Sequence, residues 1–96
     1  MQSVSDFAWE RLRITETTLV HTGAGALHTL TLNHLDDDVT VTVYDGIDGT
    51  GEVIAVIDTD LHQPTSLIYD ADIQTGIYIT IVASEQGSAD LTVTFV

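Results

Sequence analysis

The sequence contains no cysteine and no lysine, a single proline (Pro64), and only two arginines, Arg11 and Arg13. Without cysteine there is no disulfide or thiolate–metal framework, so apolar burial must supply the stability of the fold. Without lysine, fifteen carboxylates face two cations and the formal charge is −13. Phosphate backbones are bound by clustered Lys and Arg that release counterions. Nucleic acid is therefore not an expected partner, and an anionic membrane would repel the chain for the same reason. Long apolar runs are missing too. The longest, Val53-Ile54-Ala55-Val56-Ile57, falls far short of the ~20 residues that cross a bilayer. The opening Met1-Gln2-Ser3-Val4-Ser5-Asp6 has neither the basic start nor the apolar stretch of a secretory signal. The product is expected in the cytosol, or inside something assembled there.

What the chain does have is alternation, carried by β-branched residues. Leu12, Ile14, Thr18 and Val20 fall on one side of a first strand, with Arg11, Arg13 and Thr15 opposite. Thr22-Gly23-Ala24-Gly25 is a turn, since glycine takes positive φ without steric cost. The next strand places His28, Leu30 and Leu32 on one face, and Asn33 to Asp38 reads as a loop. Val39, Val41 and Val43 then alternate with Thr40, Thr42 and Tyr44. Asp45-Gly46 and Asp48-Gly49-Thr50-Gly51 form a second loop. Glu52 to Asp58 is apolar on both faces, as in a strand covered on both sides. Leu61 to Ser66 is a connection broken by Pro64, and Leu67-Ile68-Tyr69 is a short strand. Two further strands point Ile77, Ile79 and Ile81, then Leu91, Val93 and Phe95, inward.

About seven strands at this spacing predict an all-β fold, a small antiparallel sandwich or a jelly-roll/Greek-key barrel. A jelly roll would need one more strand, drawn from the N-terminal region. The expected organisation is an N-terminal arm over residues 1–10 and a single β domain over 11–96. Phe7 and Trp9 lie in the arm. They either fold over the domain's own core or anchor a neighbouring subunit, as interface aromatics do.

Candidate chemistry is thin. The histidines His21, His28, His34 and His62 fall on different strands or loops and lack the spacing of a zinc site. His28 is expected on the core-facing side of its strand, held by a hydrogen bond. Asp45, Asp48 and Glu52 invite a calcium reading, but their offsets miss the usual loop pattern, and Asp-Gly pairs are ordinary turn chemistry. The run Asp36-Asp37-Asp38 reads as a solvated loop. Ser84-Glu85-Gln86-Gly87-Ser88 lacks a nucleophile elbow. Tyr44 and Tyr78 face away from the core, as a sugar-stacking platform would require. Arg11 and Arg13 share one face and pair with local carboxylates, or else mark the patch least repulsive to another protein. No catalytic residue, metal or cofactor is expected; the candidate interface residues are Phe7, Trp9, Arg11 and Arg13.

Particular strings resemble a group of short proteins encoded among tailed-phage structural genes. They are Val20-His21-Thr22-Gly23-Ala24-Gly25-Ala26-Leu27-His28, Val43-Tyr44-Asp45, Gly51-Glu52-Val53-Ile54-Ala55-Val56-Ile57-Asp58, Tyr69-Asp70, Gly76-Ile77-Tyr78-Ile79 and Ala89-Asp90-Leu91-Thr92-Val93-Thr94-Phe95. The resemblance implies a non-enzymatic virion component, foremost a decoration (cement) protein on the outside of the capsid. Its partners would be the major capsid protein and further copies of itself, with a trimer ahead of a dimer. It would occupy the host cytoplasm during assembly. The alternatives are a tail or head-fibre accessory, or a carbohydrate-binding module. The acidic loops and the arm have no counterpart in the group.

Overall fold

The structure, a computed structural model, describes residues 9–36, 38–58, 65–84 and 86–96. These fold into eight strands: β1 (Glu10–Ile14), β2 (Thr18–Thr22), β3 (Gly25–Leu35), β4 (Val39–Asp45), β5 (Glu52–Ile57), β6 (Thr65–Ile73), β7 (Gly76–Ala83) and β8 (Ala89–Phe95). Two antiparallel four-stranded sheets result. The first has the order β1-β8-β3-β6 and the second β2-β7-β4-β5.

The pairings are nested. β1 pairs with β8, β2 with β7, β3 with β6 and β4 with β5, as if one long hairpin had been rolled across two layers. The contacts β3·β8 and β4·β7 then close each sheet. That connectivity is a jelly roll. The strand beyond the expected seven comes from the N-terminal region. The stretch read as one strand breaks at Thr15-Glu16-Thr17, so Ile14 pairs with Leu91 in the first sheet and Thr18 with Ile79 in the second. The crossing is held by polar side chains. The Thr18 hydroxyl donates to the Glu16 carbonyl, 2.7 Å away, and Thr17 Oγ1 accepts from the Ile81 amide at 3.0 Å.

The core lies between the sheets. Val39, Val41 and Val43 from β4, Ile77 and Ile79 from β7, and Leu91, Val93 and Phe95 from β8 are buried as alternation requires, and Ile81 packs against them half-buried. Each fully buried side chain of this size is worth roughly 1.5–3 kcal/mol, which is how a chain without cross-links holds together.

β3 departs from simple alternation. Its buried residues are Leu27, Leu30, Leu32 and Leu35, at spacings of three, two and three. Register shifts against β8 lie between Leu27 and Thr29 and again between Leu32 and His34. Each β-bulge adds a residue and reverses the in–out phase. Leu27 consequently takes the inward place expected for His28, and the strand runs on through Asn33 and His34, which had read as loop.

Two other expectations change. β5 is an edge strand whose Val53 and Val56 are solvent-exposed, so only one of its faces is covered. β6 extends to Ile73 rather than ending at Tyr69. Phe7, Asp37, His62 and Pro64 lie outside the described residues. The turn at Gly23 is as expected, with φ of +99°.

Candidate functional site

The two outer faces of the sandwich differ in chemistry. On the first sheet the face is largely polar, with Ile68 exposed among side chains that mostly bond one another. Arg13 grips Asp90 with a bidentate pair, its Nε lying 2.8 Å from Oδ1. Asn33 donates to the same carboxylate and, at 3.0 Å, to Thr92. Thr29 and Thr94 share a hydroxyl hydrogen bond of 2.5 Å, and Thr31 meets Ser66 at 3.0 Å. His34 sits 3.0 Å from Asp36. Arginine bonding holds Asp90 well below the usual carboxylate range, at about 2, with Asn33 assisting.

The bulge in β3 turns His28 outward on this face. Its ring stacks on Trp9 (centroids 4.3 Å apart, planes 18° off parallel), and its Nδ1 bonds the Asp70 carboxylate. Asp70 itself has φ of +46°, in the left-handed region. Between the register pairs Leu27–Ala71 and Thr29–Ile68, β6 contributes two residues where β3 contributes one. Trp9, Glu10, Arg11, His28 and Thr94 line a groove of about 560 Å3 here.

The sequence-selected interface residues thus separate. Arg13 is committed to Asp90, Trp9 covers its own chain's His28, and Arg11 lines the groove without an ion pair among the described residues. His21 is half-buried at the Gly23 turn. Its Nε2 is 3.2 Å from the Ala24 carbonyl, and its ring is tilted against Phe95.

The acidic loops do structural work. Asp45 accepts backbone N–H bonds from Gln74 (3.0 Å), Thr75 (2.8 Å) and Gly76 (3.3 Å), fastening the β6–β7 turn to the end of β4. Those bonds, Gln74 first, lower its pKa. Asp48 takes the hydroxyl and amide of Thr50, and its pKa falls accordingly. Asp36 accepts from the Ser88 amide, which lowers its pKa, and Asp38 accepts from Gly87. Among the described residues no three His, Asp or Glu side chains gather closely enough to hold a metal ion.

The outer face of the second sheet is of another kind. Register places Leu19, Tyr78, Tyr44 and Val53 side by side in one row across all four strands. The tyrosine rings lie 6.1 Å apart and tilted by 45°, a favourable edge-to-face relation. Beside this row runs Thr80, Thr42, Val56, and beyond it Val82 pairs with Thr40. No paired outward position on this face carries a charge. Leu19 is 44% exposed, Val53 51%, Val56 57% and Val82 61%. Sequence reasoning found the tyrosines but missed the row. The available signal was the doubly apolar β5, whose Val53 and Val56 are left exposed among the described residues.

Comparisons with family models, curated proteins and solved structures return no match.

Proposed function

We propose that the chain is a non-enzymatic structural component of a tailed-phage particle, a decoration protein that sits on the capsid and stabilises contacts between its subunits. The observation that carries the adhesive part is the division of charge. In a chain of formal charge −13, one whole sheet face is uncharged and rich in exposed valine, leucine and tyrosine. Such a surface loses little on desolvation and gains from apolar contact, as the centres of protein interfaces do. The polar sheet, with its bonded carboxylates, suits solvent.

The virion setting draws on the sequence resemblance and, by analogy only, on the use of jelly rolls in viral shells. In this reading the chain needs two contacts, one to the shell and one to a neighbour. The β1 side, with Trp9 and Arg11, is the second surface available. A sugar platform at Tyr44 and Tyr78 is less well supported, because their outward neighbours Leu19 and Val53 offer no hydrogen bonds to hydroxyls.

Purified particles of the phage that encodes the chain should contain it in fixed proportion to the major capsid protein. Particles lacking it should lose their contents at a lower temperature. Its absence from washed particles would refute the proposal.

A further inference from the structure

We infer that the Asp48-Gly49 peptide, in the loop between β4 and β5, is a site of spontaneous isoaspartate formation, while the fold protects the chemically identical Asp45-Gly46 pair at the start of the same loop. This holds whether or not the chain belongs to a virion. Asp-Gly occurs at these two places alone in the sequence. Residue type cannot separate them, so geometry must.

In this rearrangement the glycine backbone nitrogen attacks Cγ of the protonated aspartate. An N–Cγ bond forms and a Cγ–Oδ bond breaks; the amide proton and the carboxyl hydroxyl leave as water. Water then opens the cyclic imide at one of its two carbonyls. Opening at Cγ restores aspartate, whereas opening at the main-chain carbonyl routes the backbone through Cβ as isoaspartate. Mass is unchanged over the two steps, and water is the one co-reactant. The chemistry needs an amide nitrogen free to attack, a carboxyl oxygen free to leave, and a backbone able to bring them together. Glycine favours the last, having no side chain to obstruct the approach.

Asp48 meets these needs. Gly49 is exposed, its amide donates to no acceptor among the described residues, and a side chain built there would meet nothing within 4 Å. Asp48 is exposed too, and both of its bonds fall on Oδ1, from the Thr50 amide at 2.9 Å and the Thr50 hydroxyl at 2.5 Å. Those donors sit where negative charge gathers as nitrogen adds to Cγ, the arrangement of an oxyanion hole. Oδ2 is left to depart. The same bonds, the hydroxyl's first, hold the Asp48 pKa below its ordinary value. The reactive protonated form is therefore scarce at neutral pH, and the change is slow.

Asp45 meets none of them. Its Oδ2 accepts from the Gln74 amide at 3.0 Å, and its Oδ1 from the Thr75 and Gly76 amides at 2.8 and 3.3 Å, so both oxygens are committed to the β6–β7 turn. The Gly46 amide donates to the Gly76 carbonyl at 3.0 Å. Gly46 is buried, and its Cβ position would lie 2.9 Å from the Gly51 Cα, which leaves the backbone little room to turn. Misplacing reacting atoms by about 1 Å can cost roughly a hundredfold in rate, and here several hydrogen bonds must break as well.

The test holds the full chain at body temperature for several weeks, folded in one sample and in denaturant in another. Each sample is then digested, unfolded, with a protease that cuts before aspartate but not before isoaspartate. Rearrangement at Asp48 leaves residues 45–57 uncut in place of 45–47 and 48–57, and rearrangement at Asp45 leaves 38–47 uncut. In the folded sample 45–57 should accumulate, with 38–47 about a hundredfold less abundant. In denaturant both should accumulate at similar rates. The aged folded chain should accept a methyl group from S-adenosylmethionine through an isoaspartyl methyltransferase. Asp48→Glu, which would have to close a larger ring, should lower that acceptance to near the level of fresh protein. Circular dichroism should not change on ageing, because Asp48 bonds only within its loop. Equal rearrangement at both pairs in the folded chain, none at Asp48 when the denatured chain shows it, or an uncut 45–57 that accepts no methyl group would overturn the inference.

Discussion

Among the described residues, aspartate side chains accept from backbone amides, from Arg13 and from neighbouring histidine, threonine and asparagine side chains. Asp36, Asp45 and Asp48 each accept an amide N–H, and Asp90 holds Arg13. All four have pKa values below the ordinary range, because the charged form is the one that accepts those bonds. For Asp90 the folded value is about 2, against 3.8 ordinarily. A lowered folded pKa contributes stability that is fully present above the unfolded value and disappears as pH falls through the folded one. Arg13→Gln should therefore reduce stability by a constant amount above about pH 4, with the difference shrinking towards pH 2. Urea midpoints of both proteins across that range would check it. A difference that grows on acidification would contradict the assignment.

Individual strands show where alternation is a safe guide and where it fails. In β4, β7 and β8 the inward residues follow directly from period two, since each strand is paired on both sides and none has an extra residue against the central partner. In β3 two bulges break the period, and no local feature of Leu27-His28-Thr29 announces the first. The bulge arises from pairing with β8 and β6, which lie far along the chain. The end of β4 depends on a comparable long-range contact. Asp45→Ala would leave the Gln74, Thr75 and Gly76 amides without their acceptor. A loss of about 1–3 kcal/mol is expected, as for hydrogen bonds to charged groups. Thermal unfolding would measure it, and Asp48→Ala should cost less, because Asp48 serves only its own loop.

At the scale of the whole molecule the governing quantity is net charge. At −13, self-repulsion opposes the compact state, and it is screened over a Debye length of ~10 Å at 0.1 M. The melting temperature should rise by several degrees between about 0.01 and 0.5 M salt. Measuring at low micromolar concentration, and finding the value independent of concentration, isolates this intramolecular effect from association. A flat or falling melting temperature there would show that bonded aspartates already offset the repulsion.

The sequence by itself determined the all-β class, most of the inward-facing residues of β4, β7 and β8, and the turn at Gly23. These depend on side-chain period and backbone stereochemistry, which act over a few residues. Only the tertiary structure decided which sheet each strand joins, where the N-terminal stretch breaks, and which carboxylates meet which amides. It also decided that, among the described residues, Val53 and Val56 of β5 stay exposed. Those outcomes depend on pairing between strands distant in sequence, and a period-two pattern marks a residue as apolar without naming the surface that covers it.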